Sequence, residues 1–237
     1  MNDLLQISRT EINVGLKREY RFFQISDAHI AYVDEKSSDV DIADNKRSFN
    51  GWCSTKREFA EKFGELCDER YDIEAHLLLE MLTRHAVDFS ADAIIFSGDI
   101  MDRVTDSNIR YLKSHIDSLP IKVVYCPGNH AHHDEFGVHR NMYDRLKDLI
   151  KNPEFDVFDF DEFQIVTIDN GNKRITERQI EGLAAAVSAN KKTLLVLHAP
   201  IMLGEFGKVM GEKTGNYFLL GTEGDDENAF KFVKLIE

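Results

Sequence analysis

The chain has 237 residues, of which 43% are hydrophobic, enough to bury a substantial core in one α/β domain. Its net charge of −13 argues against a general binder of nucleic-acid backbones, which needs a basic face, although a local basic groove stays open. Three cysteines, Cys53, Cys67 and Cys126, are an odd number at no zinc-like spacing, so neither a disulfide framework nor a structural zinc site is indicated, and reduced thiols fit a cytoplasmic protein.

Residues 1–22 hold no basic segment followed by an apolar one, and no run reaches the length of a membrane span, so the sequence predicts a soluble, unexported protein. Short β-branched or aromatic runs ended by turn signals at 20–26, 92–98, 121–128, 163–170 and 192–200 predict buried strands. Between them, 72–88, 107–118, 138–151 and 176–190 carry apolar residues at three- and four-residue spacing and predict helices packed on a sheet. The last of these begins "TERQ", a capping-box signature at Thr176 and Gln179. Such alternation predicts an α/β layered fold with a largely parallel sheet at its centre. Residues 34–70 interrupt the pattern: charged, holding the sole tryptophan (Trp52), they predict an insertion whose first half is an exposed loop and whose second half, 55–70, forms helix.

The chemistry sits at strand ends. "SDAH" after the first strand supplies Asp27 and His29, "GDIMDR" after the second supplies Asp99, Asp102 and Arg103, "GNHAHHDE" after the third supplies Asn129 and His130, and "LHAP" after the last supplies His198. Ligands of open α/β sheets bind outside the carboxyl ends of the strands, so one edge receives carboxylate, imidazole and amide together. Hard oxygen donors combined with imidazole favour Mn, Fe, Zn or Co, with manganese the first choice. Asp27 and His29 can turn toward one ion, and Asp99, the sole carboxylate at its own strand end, can bridge two cations about 3.5–4 Å apart. Each fragment alone is weak; the ordered set, each after its own strand, is specific.

In that order, "DAH", "GDIMD", "GNH" and the later histidine resemble the calcineurin-like metallophosphoesterases over about residues 20–200. The resemblance implies a layered β-sandwich flanked by helices (α-β-β-α) in a single domain over 1–237. It also implies two divalent ions sharing an aspartate: Asp27 and His29 on the first, Asp99 bridging, Asn129 and His198 on the second. His130 would face the phosphate and serve the leaving group, oriented by Asp102, and Arg103 would add a positive contact, against the alternative of a surface ion pair. Paired cations of this kind activate water and neutralise phosphoryl charge.

The family's final G-H-x-H is absent, and no histidine follows His198. Stopping where the fold would add a strand favours a shortened form, missing its C-terminal strands, over a complete protein with a depleted site. Fewer donors predict under-occupied metal sites. His132 and His133 are candidate substitutes, against a solvated histidine pair, while His76, His85, His115 and His139 fall on predicted helices away from the site. The leading function is hydrolysis of small phosphate mono- or diesters. A non-catalytic metal- or partner-binding relative is the alternative, and a nucleotide phosphodiesterase or nuclease is a third reading. Loops 34–70 and 202–224 are expected to choose the ester.

Overall fold

The five predicted apolar runs all become strands, because each is a short β-branched or aromatic stretch closed by a turn. The computed structural model describes residues 7–63, 72–134, 137–138, 142–215, 219–222 and 224–236. In chain order it runs β1 (Phe22–Ile25), α1 (Asp39–Phe63), α2 (Ala75–Asp88), β2 (Ala93–Ser97), α3 (Asp106–Ser118) and β3 (Lys122–Cys126). It continues through the short pair β4 (His133–Asp134) and β5 (Gly137–Val138), then α4 (Tyr143–Leu146), β6 (Phe155–Asp159), β7 (Phe163–Ile168), α5 (Glu177–Ser188), β8 (Lys192–Val196), α6 (Gly204–Thr214) and α7 (Glu227–Ile236).

The strands form two three-stranded sheets, not one central parallel sheet. The first, β1-β2-β3, is parallel, with Phe22 opposite Ala93 and Ala93 opposite Lys122. The second, β6-β7-β8, pairs β6 antiparallel and β8 parallel to β7. Side-chain alternation explains the layering. On the first sheet Ile95, Val124 and Cys126 face Phe163, Ile165 and Val196 of the second, filling the sandwich interior. Their sequence neighbours Ile94, Phe96 and Tyr125 point the other way and pack with Leu79 of α2 and Leu112 of α3. Val166 and Ile168 likewise leave the second sheet outward, onto Leu183 of α5 and Phe232 of α7. The α-β-β-α sandwich implied by the resemblance is therefore the architecture, and each fully buried large side chain contributes about 1.5–3 kcal/mol to it.

Three expectations need correction. The first half of 34–70 is not a loop: α1 already starts at Asp39, entered through a reciprocal cap in which Ser38 N–H donates to Asp41 Oδ2 (3.0 Å) and Asp41 N–H to Ser38 Oγ (3.1 Å). Of the helix expected over 138–151, Val138 belongs to β5 and, among the described residues, only Tyr143–Leu146 is α-helical; 139–141 lie outside the described residues. Met142, Leu146 and Ile150 do keep their four-residue spacing into the core, but only separate turns link them, with Leu149 and Ile150 N–H both donating to Leu146 O. The glycine-rich stretch 202–224, read as a loop, contains α6. The predicted caps at Thr176 and Gln179 form as a full capping box. Cys53 and Cys126 are buried free thiols; Cys67 and His139 lie outside the described residues.

Candidate metal centre

Parallel pairing in register brings the ends of β1, β2 and β3 to one edge, and the chain then turns sharply after each. Asp27 (φ 54°), His29 (φ 46°) and Asp99 (φ 50°) all adopt the left-handed backbone region that non-glycine residues avoid. Neighbouring strand ends hold them there: Asp27 N–H donates to Gly98 O (3.0 Å), His29 N–H to Asp99 O (2.9 Å) and Ile30 N–H to Ile100 O (2.8 Å). Strain at three chemically active residues, fixed by hydrogen bonds, is the pattern of a preorganised site. Gly98 (φ 100°) must be glycine twice over, since a Cβ there would overlap the His198 ring. Gly128 has the same constraint from the other side, where a Cβ would meet the Asp99 carboxylate.

Asp99, 4% exposed, lies at the middle. Its Oδ2 is 3.2 Å from His198 Nε2 and 4.0 Å from His29 Nε2, while Oδ1 accepts the His130 backbone N–H at 2.8 Å. His198 Nε2 is also 3.1 Å from Asn129 Oδ1. The orientation of both histidines is set from behind. His198 Nδ1 donates to Ser97 O (3.1 Å), which leaves the Nε2 lone pair facing Asp99 and Asn129. His130 Nδ1 donates to Asp102 O (2.7 Å), which likewise leaves its Nε2 for chemistry. The Asp102 carboxylate, buried between two rings, is 3.4 Å from His29 Nδ1 and 3.5 Å from His130 Nδ1.

These neighbours set the charge states. Burial alone would raise Asp102, but His130 and His29 beside it outweigh burial and hold the carboxyl well below its usual range. Burial works against protonated His29, yet Asp102 and Asp27 raise it to about 9. His130 and His198 are raised against the same opposition from burial, by Asp102 and by Asp99 respectively.

Among the described residues two groups of donors converge closely enough to hold an ion: His29, Asp99 and His130, and Asp27, Asp99 and His198, the ligand atoms of each lying within 4.8 Å of one another. The mixture of carboxylate oxygen with imidazole nitrogen, each imidazole braced by a carbonyl or carboxylate, fits a divalent cation. Of the sequence-derived site residues, Asp27, His29, Asp99, Asn129, His130 and His198 come together here, with Asp102 directly behind. Arg103 makes an ion pair with Asp44 of α1, Nε to Oδ2 at 3.1 Å.

A family model for calcineurin-like phosphoesterases matches residues 20–223. The chain belongs to the calcineurin-like phosphoesterase family. No curated protein matches the chain. The phosphoesterase domain thus spans both sheets, and its candidate metal donors are the cluster just given, the expected chemistry of a hydrolase family with metal-binding side chains at the strand ends. Among the described residues of the phosphoesterase no helix is long and apolar enough to cross a membrane.

Parts of this phosphoesterase site were not foreseen. His132 is no solvated substitute ligand: it is 2% exposed, and its Nε2 meets Asp169 Oδ2 at 2.8 Å, away from the donor groups. Tyr143 OH donates to the same oxygen (3.0 Å), and Gly171 N–H donates to Asp169 Oδ1 (2.9 Å). The adjacent Asn170 accepts the backbone N–H of His198 (3.1 Å) and Ala199 (3.0 Å) through Oδ1, fixing the last histidine's turn. "DN" directly after β7 was the available signal, since it repeats the polar strand-end pattern of the other four. His133 stacks on His130, ring centroids 5.2 Å apart. From α1, Trp52 lies against His29 at 4.5 Å.

Proposed function

We propose that the chain is a metal-dependent hydrolase of small phosphate mono- or diesters, working in a single domain with a binuclear centre in which Asp99 is the shared ligand. One observation carries this reading: Asp99 belongs to both donor groups, with Asp27 and His198 on one side and His29 and His130 on the other. Asn129, 3.1 Å from His198 Nε2, completes the second position as an amide oxygen donor. Bound there, two divalent ions, manganese first among the choices, would supply Lewis acidity and an activated water for in-line attack.

The chain's own residues do the rest. Asp99 and Asp27 bring negative charge that offsets the cations, and the Ser97 carbonyl keeps the His198 proton on Nδ1. His130, anchored through Nδ1–H to the Asp102 carbonyl, has Nε2 to give a proton to the departing alkoxide, and the neighbouring carboxylate favours the protonated ring it needs. Arg103, tied to Asp44, serves to hold α1 beside the site more than to contact substrate. A second reading rests on the place of His130 in a donor group: it binds an ion in lieu of the absent final motif.

The test is elemental analysis of metal per chain after manganese loading, paired with hydrolysis of p-nitrophenyl phosphate and bis(p-nitrophenyl) phosphate. Near two ions per chain with turnover, and loss of at least ~100-fold in turnover for Asp99→Asn, is the expected result. Turnover unchanged in Asp99→Asn would refute the assignment, and substoichiometric metal with no turnover in the wild-type chain would favour a partner-binding relative.

A further inference from the structure

Beside the metal centre lies a cavity of about 360 Å³ between α1, α2 and the end of β1. It shares two residues with the donor groups, Asp27 and His29, so it opens from the place where the phosphoryl group would sit. Away from that mouth the walls are predominantly apolar: Phe49 and Trp52 from α1, Leu78 and Leu82 from α2, and Ile25 and Ala28 from the β1 end. The helix α1 is fastened over this space by the Asn45 side-chain amide donating to Ala31 O and by the Asp44–Arg103 ion pair. The polar side chains of the lining are engaged elsewhere: the Ser48 hydroxyl lies beside the Asp102 carboxylate, Thr55 Oγ1 donates to Gly51 O (3.0 Å), and His76 Nδ1 is 3.1 Å from Glu74 Oε2.

We propose that this cavity receives the alcohol portion of the ester, and that this portion is a compact apolar or aromatic group. The inference rests on the phosphoesterase reading of the neighbouring centre. Its volume lies in the range of about 300–1,000 Å³ that suits small-molecule sites, and aromatic faces with aliphatic walls are the usual lining for a planar apolar group. A sugar or a nucleic-acid chain fits the same walls poorly, because each hydroxyl or phosphate placed against Leu78, Leu82 or Phe49 would lose its water without gaining a partner. The insertion between the first two strands thereby becomes the specificity element of the domain.

The experiment uses the manganese-loaded full chain and two non-hydrolysable probes, benzylphosphonate and methylphosphonate. Trp52 is the sole tryptophan, so its fluorescence reports directly on this wall, and calorimetry supplies an independent dissociation constant. Benzylphosphonate should bind at least about tenfold more tightly than methylphosphonate. Phe49→Ala, which removes a wall, and Ala75→Phe, which fills the space from the start of α2, should each narrow that ratio to under about threefold. Thermal unfolding of both variants shows whether they remain folded, and the one closer to wild type decides. A ratio near one in the wild-type chain, or a ratio that survives both folded variants, overturns the pocket assignment. Turnover of phenyl and methyl phosphates with equal kcat/KM also overturns it while leaving the hydrolase reading intact. The binding ratio without turnover of any ester supports the pocket and overturns the hydrolase reading.

Discussion

Removing the Asp169 carboxylate should weaken both the fold and the metal centre. The side chain is 1% exposed and accepts three hydrogen bonds, from His132 at 2.8 Å, Tyr143 OH at 3.0 Å and Gly171 N–H at 2.9 Å. Asp169→Ala takes the acceptor from a buried imidazole whose other nitrogen, Nδ1, already has no partner among the described residues. Breaking a buried charge pair by deleting one member costs about 3–5 kcal/mol, a large share of the ~5–15 kcal/mol typical of a whole domain. With a urea dependence of about 1–3 kcal/mol per molar, the unfolding midpoint followed by circular dichroism should fall by about 1 M or more. Asp169→Asn, which keeps the volume and one oxygen, should lose less. Because His132 closes the turn that carries Asn129 and His130, manganese affinity should also drop, by about 10–100-fold. A loss of under about 1 kcal/mol in Asp169→Ala, with metal affinity unchanged, would refute the claim that this buried cluster braces the turn.

The other predictions concern the acid, the glycine and the pH response. His130→Ala should reduce kcat by about 10²–10⁴ for methyl phosphate and much less for p-nitrophenyl phosphate, whose leaving group needs little help; a fall in bound metal instead would make His130 a ligand. Gly98→Ala should cost about 1–3 kcal/mol in backbone strain and displace His198, read as a lower unfolding temperature together with lost metal. Burial lowers the pKa of His115, whose Nε2 is 2.9 Å from the Thr83 hydroxyl, so the folded state takes its proton less readily than the unfolded chain. Stability from this group is therefore full above about pH 6.5 and is lost as the pH falls below it, and His115→Gln should remove that part of the slope in urea unfolding between pH 7 and 5.

The donors of the site were legible because each follows directly after an apolar run, so strand recognition and site recognition were the same act. Asp27, Asp99, Asn129 and His198 needed only the rule that strand ends gather at one edge. Asp169 escaped because its importance lies in partners 37 and 26 residues away, His132 and Tyr143, and no local spacing marks such a relation. β6 was missed for a different reason. Its sequence "FDVFD" carries aspartates at two of five positions, tolerable at an antiparallel sheet edge but unlike the continuous apolar runs of the interior strands. The first half of α1 reads as a loop because its apolar residues are too sparse for a clear stripe; the Ser38–Asp41 cap was the signal that marked its start.

The flush register of β1, β2 and β3 has a consequence for how this protein could be altered. All the candidate metal donors but His198 follow three parallel strands that pair with one another, whereas α1 enters and leaves between β1 and β2 without contributing a rung to either sheet. On the proposed reading, catalytic hardware and substrate preference are carried by separable stretches of chain. Insertions of other lengths and sequences placed after Tyr32 should then leave the ladder beneath them in step, and such chimeras would inherit one reactivity with many appetites.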